Sequence, residues 1–114
     1  MNTSFAETYK PHGMPLSLLC GGAGMECPKT YAHIMVKGVT SDSRRVKAGW
    51  LFVALKGNRH NGEDFIPMAC KLGASAVVVE GEIPTPWVYD VPCLTTPNAR
   101  ETLAYLCDAW YDHP

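Results

Sequence analysis

Two short and almost uninterrupted apolar runs, at residues 50–55 and 76–79, constrain the fold of this chain more than any other feature of its sequence. Their length suits strands that are buried on both faces of a sheet, and it falls far short of the roughly 18 residues that cross a membrane. A segment with helical periodicity, residues 63–72, lies between the two runs. This order of strand, helix and strand predicts an α/β fold, a single small domain with a parallel or mixed sheet and flanking helices.

The helix predicted between the two runs has, at each end, a residue type that is typical of helix ends. Its apolar face is predicted to carry Phe65, Ala69 and Leu72. Pro67 falls in or near the first turn, where a missing N–H costs least, and Gly73 is the C-terminal stop. Phe65 is therefore expected to be buried between the helix and the sheet.

The last helix has the clearest pattern in the chain. Thr96 is predicted to cap its N-terminus and Pro97 to occupy the first helical position. The apolar residues that follow recur at the spacing of one helix face: Ala99, Leu103, Leu106, Cys107 and Trp110. Leu103 and Trp110 are expected to be buried where this helix meets the sheet.

Shorter patterns predict the remaining elements. These are a helix at 16–19 that ends at Gly21 and Gly22, and strands at 34–40, around Val88 and at 93–95. Residues 1–13 carry no periodicity and are predicted to be a loose leader. The domain itself is expected to span residues 14–114.

Charge and cysteine content exclude several classes of function. The 114 residues carry a net charge of -1 and are 46% hydrophobic, which is typical of a soluble globular domain with no electrostatic attraction for nucleic acid. The five cysteines form no Cys-x-x-Cys pair, so neither a disulfide framework nor a zinc ribbon is predicted. Cys20, Cys27, His12 and His33 match no common ligand spacing, so no metal site is predicted. A reducing cytoplasm is the expected compartment, without a membrane or nucleic-acid partner.

Two polar loops, residues 40–44 and 57–62, each follow the end of a predicted strand. Parallel strands end at the same edge of a sheet, where α/β domains bind ligands, so the loops are expected to lie together. Hydroxyls and backbone N–H groups of residues 40–45 could there hold the ribose, base edge or phosphate of a nucleotide, with an arginine guanidinium as the countercharge. The simpler interpretation is a turn in which Asp42 accepts backbone N–H bonds and pairs with Arg44, and composition alone favours that turn.

Two glycines, Gly57 and Gly62, frame the second loop. They predict a backbone that approaches a ligand or takes a positive φ, whereas the simpler interpretation is a glycine needed to leave the strand. No Gly-x-x-x-x-Gly-Lys-Ser/Thr motif occurs in the 114 residues, so no ATP site is predicted.

Four segments, taken together and in this order, resemble one known family. They read TSDSR at 40–44, GWLFVALKG at 49–57, GEDFI at 62–66 and GASAVVVE at 73–80. The chain is similar, from residue 36 to residue 114, to the N-terminal domain of the Mur ligases, which add amino acids to UDP-N-acetylmuramoyl peptides during peptidoglycan synthesis. The similarity is strongest to the ligase of the third residue, MurE.

The resemblance implies a role for this chain in substrate binding. It would hold the UDP part of UDP-N-acetylmuramoyl-L-alanyl-D-glutamate while the parent enzyme adds meso-diaminopimelate or lysine. The uridine contacts of the family fall on five positions: Ser41, Ser43, Asn58, Arg59 and His60. In the family, ATP and Mg²⁺ bind a central domain and the amino acid binds a C-terminal domain. Both domains are absent from these positions, so the chain alone is expected to hold no cofactor and to be non-catalytic.

Two alternatives remain open at this stage. The chain could be the first domain of the Mur ligase that adds the D-alanyl-D-alanine dipeptide, which shares the motifs around Asp42 and Phe52. It could also be a stand-alone module that binds a uridine nucleotide or a protein. A reading frame that continues past Pro114 into a strand and a P-loop would favour the ligase, and a stop codon there would favour the module.

Overall fold

The computed structural model describes residues 13–57 and 61–112. Its centre is a four-stranded parallel sheet in the order β3-β4-β5-β6, formed by Gly38–Thr40, Trp50–Val53, Ala76–Glu80 and Cys93–Thr96. The first two strands of the chain, β1 (Met14–Pro15) and β2 (Met35–Val36), pair separately and antiparallel. The helices are α1 (Leu16–Gly22), α2 (Ile66–Lys71) and α3 (Ala99–Asp112). The predicted α/β fold class, with a parallel sheet and flanking helices, is confirmed.

Side chains from the sheet build two apolar layers, one on each face. Helices α1 and α3 cover the first face, where Leu19 and Leu106 pack with Val78. Helix α2 covers the second face, where Ile66 packs with Val77. Successive valines of β5 thus enter opposite layers, because side chains alternate along a strand. This explains why the run at 76–79 is apolar without interruption.

The helix predicted at 63–72 begins later than expected. Gly62–Phe65 forms a 3-10 turn, and α2 starts at Ile66 with Pro67 in its first turn. A 3-10 turn has three residues per turn, so it rotates Phe65 out of the apolar stripe, and Ile66 takes the core position instead. The predicted apolar face is wrong at two of its three positions, since Phe65 is 41% and Leu72 is 42% exposed, whereas Ala69 is buried. Gly73 does end the helix, with φ at +102°.

The predicted N-cap of the last helix is also wrong. Thr96 is the last residue of β6 and α3 begins at Ala99, so Thr96 lies too early to cap the helix, and Pro97 precedes the helix instead of occupying its first position. Asn98 caps α3 instead, since its Oδ1 accepts from Glu101 N at 2.9 Å. Glu80 also accepts a hydrogen bond from Ala99 N. An Asn three residues before a Glu is a capping-box spacing that the sequence already carried.

The apolar face predicted for the last helix is confirmed. Leu106 and Trp110 are buried, and Leu103 is partly buried against the same layer. The helix at the start of the domain is likewise found, and it extends to Gly22.

The remaining differences concern short segments. The strand predicted at 34–40 is divided at Lys37, whose N–H donates to Gly49 O at 2.9 Å. The strand predicted around Val88 is absent from the described elements, and Val88 is 69% exposed in a connecting loop. The predicted leader lies outside the described residues except for Gly13. No helix in the described part of the chain is long and apolar enough to cross a membrane.

Candidate functional site

The two predicted polar loops leave neighbouring strands at one edge of the sheet. Strands β3 and β4 are parallel and adjacent, with Thr40 opposite Phe52. Ser41 and Ser43 follow β3 directly, so they lie at the carboxyl edge of the sheet. Since β4 ends at the same edge, the loop that follows it also starts there.

The three predicted site residues of the second loop, Asn58, Arg59 and His60, lie outside the described residues. The residues on either side of that loop are described by the structure. Lys56 and Asn61 form an antiparallel bridge, and Gly62 N donates to Leu55 O at 2.6 Å. These two contacts draw the ends of the loop together. No sequence signal predicted this narrow neck, because it depends on how closely the two flanks approach.

Asp42 and Arg44 organise the first loop. The Asp42 Oδ1 accepts from Arg44 N at 3.0 Å, and the carboxylate receives Arg44 Nε at 3.0 Å and Nη2 at 2.9 Å. These hydrogen bonds, led by those of the guanidinium, hold the pKa of Asp42 below its usual value. The simpler interpretation of the turn is thus the geometry observed. Arg44 Nε and Nη2 thus donate to Asp42, while the arginine side chain is 82% exposed.

Among the predicted site residues that the structure describes, Ser43 is the most buried. It opens the 3-10 turn Ser43–Arg45 and is only 6% exposed. The turn is anchored from behind by Val46, which is buried in the α2 layer. The Ser43 carbonyl accepts a hydrogen bond from Val46 N at 3.4 Å, which closes the turn. Ser41 is partly buried beside it.

Backbone atoms of residues 54–55 lie so close to Gly62 that they explain why a glycine occupies this position. A Cβ at this position would lie 2.5 Å from Leu55 N and 2.9 Å from the carbonyl carbon of Ala54. Gly62 does not have a positive φ. The glycine is therefore required for the close approach of the second flank of the loop to residues 54–55. The positive φ expected as one possibility is not found at Gly62, and the approach of its backbone to a ligand stays a prediction. The role of Gly57 stays a prediction.

The cysteines do not supply a reactive centre. All five thiols are free. Burial raises the pKa of Cys20 to about 12, with a further contribution from neighbouring Cys27. Burial likewise raises the pKa of Cys93 to about 12. Both thiols are therefore protonated at neutral pH, which makes them poor nucleophiles.

ATP and Mg²⁺ do not fit the residues present. Within residues 13–57 and 61–112 no group of three or more His, Cys, Asp or Glu side chains could hold a metal ion. The Asp42 carboxylate at the loop edge is occupied by Arg44. No step that depends on Mg²⁺ is assigned to the described residues.

These features define a class of protein, a three-layer α/β domain with polar loops at the carboxyl ends of two parallel strands. A model of the Mur ligase family, described as its catalytic domain, matches residues 35–111. The chain belongs to the Mur ligase family.

Individual relatives of the chain have names that refer to the synthesis of UDP-N-acetylmuramoyl peptides. The chain is 45% identical over 84 residues to a UDP-N-acetylmuramyl-tripeptide synthetase of Roseiflexus sp., covering 69% of this chain and 15% of the relative. It is 37% identical over 92 residues to a UDP-N-acetylmuramoyl-L-alanyl-D-glutamate--2,6-diaminopimelate ligase of Bacillus licheniformis, covering 81% of this chain and 17% of the relative. The chain thus spans less than a fifth of the length of these two relatives.

A similar fold occurs in a solved structure. The crystal structure of MurF from Acinetobacter baumannii matches with a TM-score of 0.63 and 23% identity, over 86% of this chain and 20% of that one. At this level of identity the likeness concerns the fold.

Proposed function

We propose that residues 14–114 form the N-terminal, substrate-binding domain of a Mur ligase of the MurE type. In this role the chain binds the UDP part of UDP-N-acetylmuramoyl-L-alanyl-D-glutamate. The observation that carries the proposal is the buried Ser43 in its 3-10 turn, beside a second polar loop that starts at the same sheet edge. The relatives named as tripeptide synthetase and diaminopimelate ligase support the choice of the third-residue enzyme.

The proposed contacts follow from the chemistry of uridine diphosphate. Uracil and ribose present hydrogen-bond donors and acceptors, which Ser41, Ser43 and the loop backbone can match. The diphosphate carries negative charge, which Arg59 and His60 would balance, with Asn58 as a further hydrogen-bonding group. Arg44 is not among the proposed contacts, because two of its guanidinium nitrogens already donate to Asp42.

The remaining chemistry of such a ligase would lie in other domains of a parent protein. There, ATP with Mg²⁺ activates the substrate carboxylate and the incoming amino group forms the amide bond. The parent would act in the cytoplasm in peptidoglycan synthesis. The alternative of the D-alanyl-D-alanine ligase is supported only by a shared fold.

Titration of the 114-residue chain with UDP tests the site. Replacing Ser43 by alanine is expected to weaken UDP binding by about 3- to 10-fold, the value of one hydrogen bond. Ser17→Ala is the matched control, since Ser17 is exposed on α1. Calorimetry gives the affinity, and thermal unfolding shows whether both variants remain folded. Equal UDP affinity in the folded Ser43→Ala variant and the parent chain would place the nucleotide elsewhere.

The purified chain is also expected to release no phosphate from ATP, with or without the full UDP-muramoyl dipeptide and amino acid. The physical reason is the missing P-loop and the lack of a metal-binding cluster in the described residues. A coupled phosphate-release assay measures this. Saturable release would contradict the assignment of the chain to substrate binding alone.

A further inference from the structure

Strand β6 has an outer edge that the described residues leave unpaired. Its inner side pairs with β5, through Val77 N to Pro92 O at 3.0 Å and Gly81 N to Thr96 O at 2.9 Å. In a parallel ladder alternate residues face one neighbour, so Cys93 and Thr95 turn their N–H and C=O groups outward. No backbone hydrogen bond within residues 13–57 and 61–112 reaches these groups. Such an edge is a template for a further strand.

A groove runs along this outer edge. It consists of two neighbouring cavities, of about 570 and 400 Å³, that are both lined by Ile83 and Cys93. Trp87 and Tyr89 line the second cavity with their rings 5.0 Å apart, edge to face. Trp87 Nε1 donates to Val91 O at 2.9 Å, which fixes the indole. The groove thus offers an apolar anchor site beside an open strand edge.

The charges along the groove are all of one sign. Glu26 and Glu101 line the first cavity and Asp90 lines the second, whereas no Lys or Arg is among the described residues that line either. In the described part of the chain the only ion pair joins Asp42 and Arg44, so none of the three carboxylates is neutralised. A groove of this kind attracts cationic segments and repels anionic ones.

We propose that the groove beside β6 binds an extended, lysine- or arginine-rich segment of a partner protein as an added strand. The backbone of the segment pairs with Cys93 and Thr95, an apolar side chain packs on Trp87 and Tyr89, and its cations face the carboxylates. A second copy of this chain fits less well, because a symmetric contact would bring the same acidic residues together. The acidic lining likewise disfavours nucleic acid.

A pair of peptides tests the charge preference. Acetyl-Lys-Val-Lys-Val-Lys-Val-amide is expected to shift the amide resonances of Cys93 and Thr95 in the NMR spectrum of the 114-residue chain. Its affinity should be at least about tenfold higher than that of the matching glutamate peptide, with a smaller ratio at high salt. Equal binding of both peptides, shifts centred on residues 40–44 instead, or no shift at about 1 mM peptide would overturn the proposal.

Variants test the role of the carboxylates. The double change Glu26→Gln and Glu101→Gln is expected to lower the affinity of the chain for the lysine peptide by at least about fivefold. Asp64→Asn is the matched control, because Asp64 is an exposed acid that does not line the groove. If the double variant and Asp64→Asn lost affinity for the lysine peptide to the same extent, the effect would be one of overall charge, which would contradict a defined site.

Modified peptides test strand addition without altering the protein. N-methylation of one alternate set of peptide amides should reduce the affinity at least about tenfold, while methylation of the other set should leave it nearly unchanged. Equal effects of the two sets would exclude a paired strand. Sedimentation should show a monomer, and a dimer abolished by the lysine peptide would assign the edge to a second copy instead.

Discussion

Replacing Leu106 with alanine is expected to lower the free energy of unfolding by about 2 to 5 kcal/mol. Leu106 lies fully buried in α3, within the layer formed with α1 and the sheet. Truncation removes its apolar contacts and leaves a cavity that the neighbouring strands cannot fill. Chemical denaturation monitored by circular dichroism measures the change.

Phe65→Ala provides the matched comparison. Although both side chains are large and apolar, 41% of the Phe65 surface is exposed. Its truncation should cost about 1 kcal/mol. If Phe65→Ala destabilised the chain as much as Leu106→Ala, the 3-10 turn before α2 would have to be discarded.

Gly62→Ala is expected to destabilise the domain by about 3 kcal/mol or more. The added methyl group would lie 2.5 Å from Leu55 N and 2.9 Å from backbone atoms of Ala54, and neither can rotate away as a side chain could. The neck of the second loop would have to open. Thermal unfolding of the variant gives the size of the effect.

Gly21→Ala separates this steric effect from the general effect of replacing glycine. Gly21 lies in α1, and a Cβ there would meet nothing within 4 Å. Because alanine favours the helix, this variant should be as stable as the parent or up to about 1 kcal/mol more stable. A loss of stability similar to that of Gly62→Ala would refute the steric explanation.

The sequence predicts the elements of this fold wherever burial alone decides them. The runs at 50–55 and 76–79 are apolar because both faces of β4 and β5 are covered, and α3 shows its single buried face as a regular stripe. The start of α2 was missed because a 3-10 turn and an α-helix have the same apolar composition but different rotation per residue. The cap of α3 was misplaced because Thr96 is the last residue of β6.

The candidate site was predictable to the extent that it follows from topology. Polar loops after adjacent parallel strands must meet at one edge, so the positions of Ser41 and Ser43 could be inferred. The ion pair between Arg44 and Asp42 belonged to one of the two interpretations of this loop that the sequence allowed. The neck between Lys56 and Asn61 depends on a close approach of backbones, which no residue type announces.

The alternation of Val77 and Val78 between the two apolar layers has a consequence for cooperativity. Each residue of β5 lies between two hydrogen-bonded strands and contributes to a layer on one face or the other. An opening of β5 would therefore expose both layers at once. The amide hydrogens of Val77 and Val78 should exchange with solvent only through complete unfolding, which makes the two layers a single thermodynamic unit.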